Sequence, residues 1–137
     1  AVEGPVALLV GEKLQLAHLP DGEAPRSGYD LVLSNSLLHH LRDPLVLWRS
    51  VRRWAAPGAA VFVVDLLRPA SEDTARALVD RYAAGEPDVL RHDFYHSLLA
   101  AYRCDEVRQQ LAASGLEALA VIQFSDRHLA VSGHLAV

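Results

Sequence analysis

The chain has 137 residues, 51% of them hydrophobic and 22% charged, which is enough for one compact folded unit and too apolar for a disordered segment. A formal net charge of -4 supplies no general basic field, so nucleic acid is not an expected partner. No apolar run reaches the roughly 20 residues of a membrane helix, acidic Glu3 stands where a signal peptide would be basic, and the lone Cys104 cannot form an internal disulfide; the expected location is the cytosol, away from any membrane.

Val6 to Val10 is a short apolar run closed by Gly11, and Tyr29 to Ser34 is another, bounded by Gly28 and Asn35. Both read as buried strands. Between them Pro20-Asp21-Gly22, Pro25 and Ser27-Gly28 carry turn chemistry, which predicts a surface loop over 18–28. Asp43-Pro44 predicts a helix start, with proline at the first helical position where its missing N–H costs nothing. Leu47, Val51 and Trp54, flanked by Trp48 and Ala55, form its apolar stripe, and Arg49, Arg52 and Arg53 read as its solvated face rather than a phosphate site. Pro57-Gly58 then stops it. Ala59 to Leu67 is nearly continuous in apolar residues, as in a strand covered on both faces, and Asp65, Arg68 and Pro69 mark its end.

Ser71 predicts an N-cap for a helix that carries Glu72 and Asp73 in its first turn and Ala75, Leu78, Val79 and Tyr82 on one face, and Gly85 and Pro87 end it. A second helix over Asp88 to Tyr102 puts Leu90, Phe94, Leu98 and Tyr102 in register, and a third runs from Asp105 to Ser114 with Gly115 as its stop. Leu116 to Phe124 and His128 to Leu135 read as strands. Ser125-Asp126-Arg127 between them is too short for a parallel crossover, so an antiparallel hairpin is expected. The order is that of an α/β fold.

The run Tyr29-Asp30-Leu31-Val32-Leu33-Ser34-Asn35-Ser36-Leu37-Leu38-His39-His40-Leu41-Arg42-Asp43-Pro44, followed by Trp54-Ala55-Ala56-Pro57-Gly58-Ala59 and Val61-Phe62-Val63-Val64-Asp65, resembles the fourth and fifth strands of class I S-adenosylmethionine-dependent methyltransferases of the small-molecule type. Ala59 replaces the second glycine of the usual Pro-Gly-Gly turn, a mild departure because only one residue of such a turn needs positive φ. Upstream, Leu9-Val10-Gly11-Glu12-Lys13 resembles the end of the family's third strand. Downstream, Asp105-Glu106-Val107 with Gly115-Leu116 resembles the last helix, and Ser125 to Leu129 the final hairpin. A threonine usually caps that helix. Arg103 and Cys104 stand there, leaving Asp105 as the expected cap.

The resemblance implies a Rossmann-like, mostly parallel sheet in the order 3-2-1-4-5-7-6 with a terminal antiparallel hairpin. It also implies S-adenosylmethionine as cofactor and a small-molecule acceptor. No Gly-x-Gly-x-Gly loop occurs in the sequence, which starts at Ala1 and has no Met; the chain is expected to be the C-terminal part of such a domain, beginning at the third strand, with the N-terminal strands and glycine-rich loop absent. Residues 1–137 would be one partial domain, and 69–102 a helical insert of the kind that builds an acceptor-binding region. By the same resemblance Glu12 and Lys13 flank the adenine, and Ser34 and Asn35 begin the turn whose carbonyls receive the cofactor's ammonium group. A non-catalytic relic of the fold, serving as a binding or dimerisation module, is the alternative. With the two strands that the order 3-2-1-4-5-7-6 sets between strands three and four absent, strand four would expose a long apolar edge, and pairing of that edge with another chain, as in a homo-oligomer, is one expected outcome.

His39 has the intrinsic pKa of a general base for the acceptor's proton, with packing against the next helix as the competing reading. Adjacent His39 and His40 point apart, which argues against shared metal ligation. His92 and His96 lie at i, i+4 but no third ligand accompanies them, so no metal is expected. Phe94, Tyr95 and His96 are the acceptor-side candidates, against the simpler reading that aromatic residues at this spacing fill a core.

Overall fold

The computed structural model describes residues 27–137 in full and, before them, the backbone of two strands, β1 (Pro5–Val10) and β2 (Lys13–His18). These two pair antiparallel from Pro5↔His18 to Val10↔Lys13 and form a sheet of their own. The strand at Lys13–His18 was not foreseen. Its first four residues, Lys-Leu-Gln-Leu, alternate polar and apolar with the period of a strand. Neither β1 nor β2 pairs with the strand that begins at Tyr29.

A second sheet carries the rest of the chain. β3 (Tyr29–Asn35) is followed by a short 3₁₀ turn at Leu38–His40, α1 (Leu45–Trp54) and β4 (Ala55–Leu66). Then come α2 (Glu72–Tyr82), α3 (Asp88–Ala100), α4 (Cys104–Ala113), β5 (Ala120–Gln123) and β6 (His128–His134). The sheet order is β3-β4-β6-β5, with β3 and β4 parallel and β6 antiparallel to both β4 and β5.

Local chemistry accounts for most boundaries. The Asp43 carboxylate accepts the Leu45 N–H at 3.0 Å and so opens α1. That helix ends at Trp54, before Pro57, because the chain already runs extended from Ala55 and pairs with Tyr29; an irregularity in the β3–β4 register follows, and Gly58 takes φ +76. The Ser71 hydroxyl accepts the Thr74 N–H at 3.1 Å and caps α2. Asp105 does not cap α4. Glu106 instead accepts the Arg103 N–H at 3.0 Å, while Asp105 pairs with the Arg103 guanidinium. Gly115 ends the helix at φ +68.

One core lies between the sheet and a layer of helices. Leu47, Trp48 and Val51 of α1 and Val107 and Leu111 of α4 pack against Val61, Val63, Val121, Leu129 and Val131. Trp48 Nε1–H donates to Gln110 Oε1 at 3.0 Å and ties the two helices together. Arg49, Arg52 and Arg53 stay on the outer side, as a solvated helix face requires. Between α2 and α3 a smaller core forms from Ala75, Leu78, Val79, Ala83 and Leu98, with Phe94 and Tyr95 against it. Tyr82 and Leu90, expected inward, face outward instead.

The opposite face of the sheet corrects a further expectation. The sequence predicts a buried strand at Tyr29 to Ser34 and cover on both faces for Ala59 to Leu67. Strand parity turns Val32, Val61 and Val63 to the helices, and Leu31, Leu33 and Phe62 the other way. Those three, with Ile122, are 46–63% exposed, so no described element covers that face.

Candidate functional site

In open α/β sheets ligands bind beyond the carboxyl ends of the parallel strands. For β3 and β4 that end is Ser34–Asn35 beside Val63–Val64, where Ser34 and Asn35, with Leu33, Phe62 and Val64, line an open depression of about 320 Å³. A depression of about 390 Å³, lined by Arg52, Pro57, Gly115 and Leu135 among others, lies at the other end of β4. Strand direction argues against it as the site, since it lies at the amino ends of the parallel pair β3 and β4.

The chain leaves β3 through a constrained turn. Ser36 adopts φ +58, an uncommon conformation for a residue with a Cβ, and its N–H donates to the Val64 carbonyl at 3.0 Å. Its hydroxyl donates to Asn35 Oδ1 at 3.1 Å. The Ser34 hydroxyl is buried with no hydrogen-bond partner among the described residues, and the Asn35 side chain is exposed. An unpartnered buried hydroxyl beside a polar strand end fits a site that gains partners on ligand binding.

Asp65 holds the rest of the turn in place. It sits in β4, 1% exposed, and its carboxylate meets three groups. Oδ2 accepts the Leu38 N–H at 2.7 Å, Oδ1 accepts the Leu66 N–H at 2.8 Å, and Oδ1 lies 2.5 Å from His39 Nδ1. Sequence reasoning took Asp65 as a strand-end marker. The available signal was an acid enclosed by Val-Val and Leu-Leu, since a charge in such a run is stable only when paired.

His39 is buried, and its partner is this strand rather than the next helix. The His40 ring lies 4.0 Å from the His39 ring, centroid to centroid. Burial and then the neighbouring His39 push the His40 pKa below the usual imidazole value, and Asp65 opposes them in part.

The other sequence candidates lie elsewhere. Phe94 and Tyr95 are half-buried against the small α2–α3 core, which matches the core-filling reading, and Arg76 sits over the Tyr95 ring at 5.6 Å. His96 is exposed, with its ring 4.2 Å from that of His92. Among the described residues no three His, Cys, Asp or Glu side chains cluster to hold a metal. Glu12 lies outside the described residues, and of Lys13 only the backbone is described, in β2. No helix among the described residues is long and apolar enough to cross a membrane.

A mixed α/β sheet with a polar turn at the carboxyl end of its parallel pair has the architecture in which open α/β domains place their ligand sites. Residues 8–121 match the methyltransferase domain family, and the chain belongs to that family. It is similar in structure to an S-adenosylmethionine-dependent methyltransferase from Aquifex aeolicus, at 16% identity and TM-score 0.53 over 89% of this chain and 55% of that one. It is also similar to the plantazolicin methyltransferase BpumL, solved with a desmethyl substrate analogue and S-adenosylhomocysteine, at 11% identity and TM-score 0.59 over 85% and 55%. A possible exported protein from Bordetella parapertussis shares the fold at 21% identity and TM-score 0.55 over 82% and 40%. The chain thus spans about half the length of these structures or less. A search of curated proteins gives no match.

Proposed function

We propose that this domain works as an S-adenosylmethionine-dependent methyltransferase on a small-molecule acceptor, with the cofactor held at the β3 carboxyl end. The observation that carries the reading is the turn at Ser34–Leu38, where a positive-φ residue, an unpartnered buried hydroxyl and a backbone N–H fixed by a buried carboxylate occur within five residues of the family's motif. Antiparallel β6 between β4 and β5 is consistent with the Rossmann-like order that the resemblance implies.

Ser34 and Asn35 would hold the amino-acid end of the cofactor through their carbonyls and the Asn35 carboxamide, and Glu12 and Lys13 its adenine. Bound there, S-adenosylmethionine supplies an activated methyl group on a good leaving group. The protein's share is placement, exclusion of water and custody of one proton. His39 is the candidate for that proton. Residues 69–102 would form the acceptor side, with Phe94, Tyr95 and His96 facing it in part; supporting this, α3 packs against the turn that carries His39.

The test is calorimetry with S-adenosylhomocysteine on the natural protein that carries this sequence. Micromolar binding is expected, and Glu12→Ala should weaken it by about 1–3 kcal/mol, the usual loss for a charge-assisted hydrogen bond. No binding by the unmodified protein would refute the reading.

A further inference from the structure

The helices α2 and α3 have a core of their own. Ala75, Leu78, Val79, Ala83 and Leu98 fill the space between them, and from the sheet Leu66, at the end of β4, reaches that core partly buried. The chain is anchored where it enters and leaves this pair. Leu67 and Tyr102 pack on the main core and bridge each other in parallel, while the Leu67 N–H donates to the Arg127 carbonyl at 2.9 Å and the Arg68 N–H to the Tyr102 carbonyl at 3.1 Å. Between these anchors and the helices stand Pro69 and Ala70 on one side, ahead of the capping Ser71, and Ala101 on the other. Two short stems leaving one anchor side by side form a pivot, and a pair of helices with its own core moves on a pivot as a body.

Away from the stems a polar cluster fastens the pair. In the last turn of α2 the Tyr82 O–H donates to Asp126 Oδ2 at 2.6 Å, and the Arg127 guanidinium carbon lies 3.6 Å from the centroid of the Tyr82 ring. Asp126 and Arg127 belong to the β5–β6 turn and are held within it: Arg127 Nη1 donates to Asp126 Oδ1 at 3.0 Å, and the Arg127 backbone N–H to Ser125 Oγ at 3.2 Å. A hydrogen bond to a carboxylate and a cation over an aromatic face are both favourable. Tyr82 is 41% exposed, so water competes for the same groups and the closure is reversible.

We propose that α2 and α3 swing together on the stems at Pro69, Ala70 and Ala101, and that Tyr82, seated on Asp126 and Arg127, is the latch that holds them closed against the turn at Leu38–His40. α3 packs against that turn, so opening withdraws a wall from the chain that follows Ser34 and Asn35. The movement stands without the methyltransferase reading. Its use, to admit and release ligands beside the β3 carboxyl end, rests on that reading.

Amide hydrogen exchange of the natural protein, read residue by residue by NMR, tests the latch with no ligand present. Tyr82→Phe keeps the ring and removes the donor. It is expected to speed exchange across α2 and α3 by a common factor of about three to ten, and with it that of His40 and Leu41, whose N–H groups bond to the Leu37 and Leu38 carbonyls, while amides of α1, α4 and β4 stay within about twofold. Asp126→Ala should act on the same amides and add little in the Tyr82→Phe background, because the two residues share one bond. Unchanged exchange in α2 and α3, a rise confined to the last turn of α2, an equal rise through the whole chain, or a full additional rise in the double variant overturns the proposal.

Stopped-flow binding of S-adenosylhomocysteine reads the use of the movement. Tyr82→Phe is expected to raise the association and release rates together, leaving Kd within about twofold, and rates that do not move overturn the gating role. No binding by the unmodified protein sinks the methyltransferase reading, while hydrogen exchange still decides the latch.

Discussion

Replacing Trp48 by Phe probes the joint that holds α1, the helix following the site turn, against α4. Trp48 is fully buried and its indole N–H donates to Gln110 Oε1 at 3.0 Å across 62 residues of sequence. Phe keeps most of the apolar contact but leaves a buried amide oxygen without a donor, at about 1–3 kcal/mol. The missing part of the indole opens a small cavity, and the total should reach about 2–4 kcal/mol. Gln110→Leu alone strands the indole N–H instead and should cost about 1–3 kcal/mol. Together the two changes remove both partners, so the double variant should be more stable than the sum of the singles implies by about 1 kcal/mol or more. Urea unfolding followed by far-ultraviolet circular dichroism reads all four proteins. Strictly additive losses would refute the reasoning, because they would mean that the two side chains do not share a bond in solution.

Ser36 takes φ +58 with a Cβ in place, so Ser36→Gly should leave stability unchanged or raise it by up to about 1 kcal/mol, while Ser36→Val should lower it, both read by thermal unfolding. Tyr82 O–H donates to Asp126 at 2.6 Å, and this bond, with the Arg127 guanidinium beside it, holds the Asp126 carboxyl below its ordinary range. A depressed carboxyl pKa contributes stability above the unfolded value near 4 and loses it as pH falls through the folded value. Tyr82→Phe should therefore move the Asp126 midpoint upward in a carboxyl NMR titration and reduce the acid sensitivity of folding. His40 should titrate below free imidazole, because burial and then His39 disfavour its cation. Its depressed pKa makes folding less favourable as pH drops below about 6.5, and His39→Gln should raise the His40 midpoint, as histidine NMR would show.

Much of the path to the site was legible in the sequence. Asp43-Pro44 marks the start of α1 because a carboxylate acceptor followed by an N–H-free residue is what a helix start uses, and Ser71 with Glu72 and Asp73 marks α2 for the same reason. Ser34 and Asn35 could be placed at a strand end from their residue types alone. What escaped were relations between distant residues. Asp65 meets Leu38 and His39 across 27 and 26 residues, and a local reading of an acid at a strand end has no means of finding such partners. Tyr82 lies on the helical stripe yet turns outward, since Asp126 and Arg127 of the β5–β6 turn offer its hydroxyl and ring more than the small α2–α3 core does. The open face of β3 and β4 was also missed. A run of Leu, Val and Phe looks the same whether one face or two are covered, and only the register shows which residues face the helices.

The central claim is that the turn after β3 receives the cofactor, and an NMR titration of the natural protein with S-adenosylhomocysteine tests it directly. The backbone signals of Leu33, Ser34, Asn35 and Ser36 should shift saturably, the His39 ring with them, while those of Arg52 and Leu135 around the depression at the other end of β4 remain in place. Saturable shifts confined to Arg52, Gly115 and Leu135, or no shifts at all, would contradict the account.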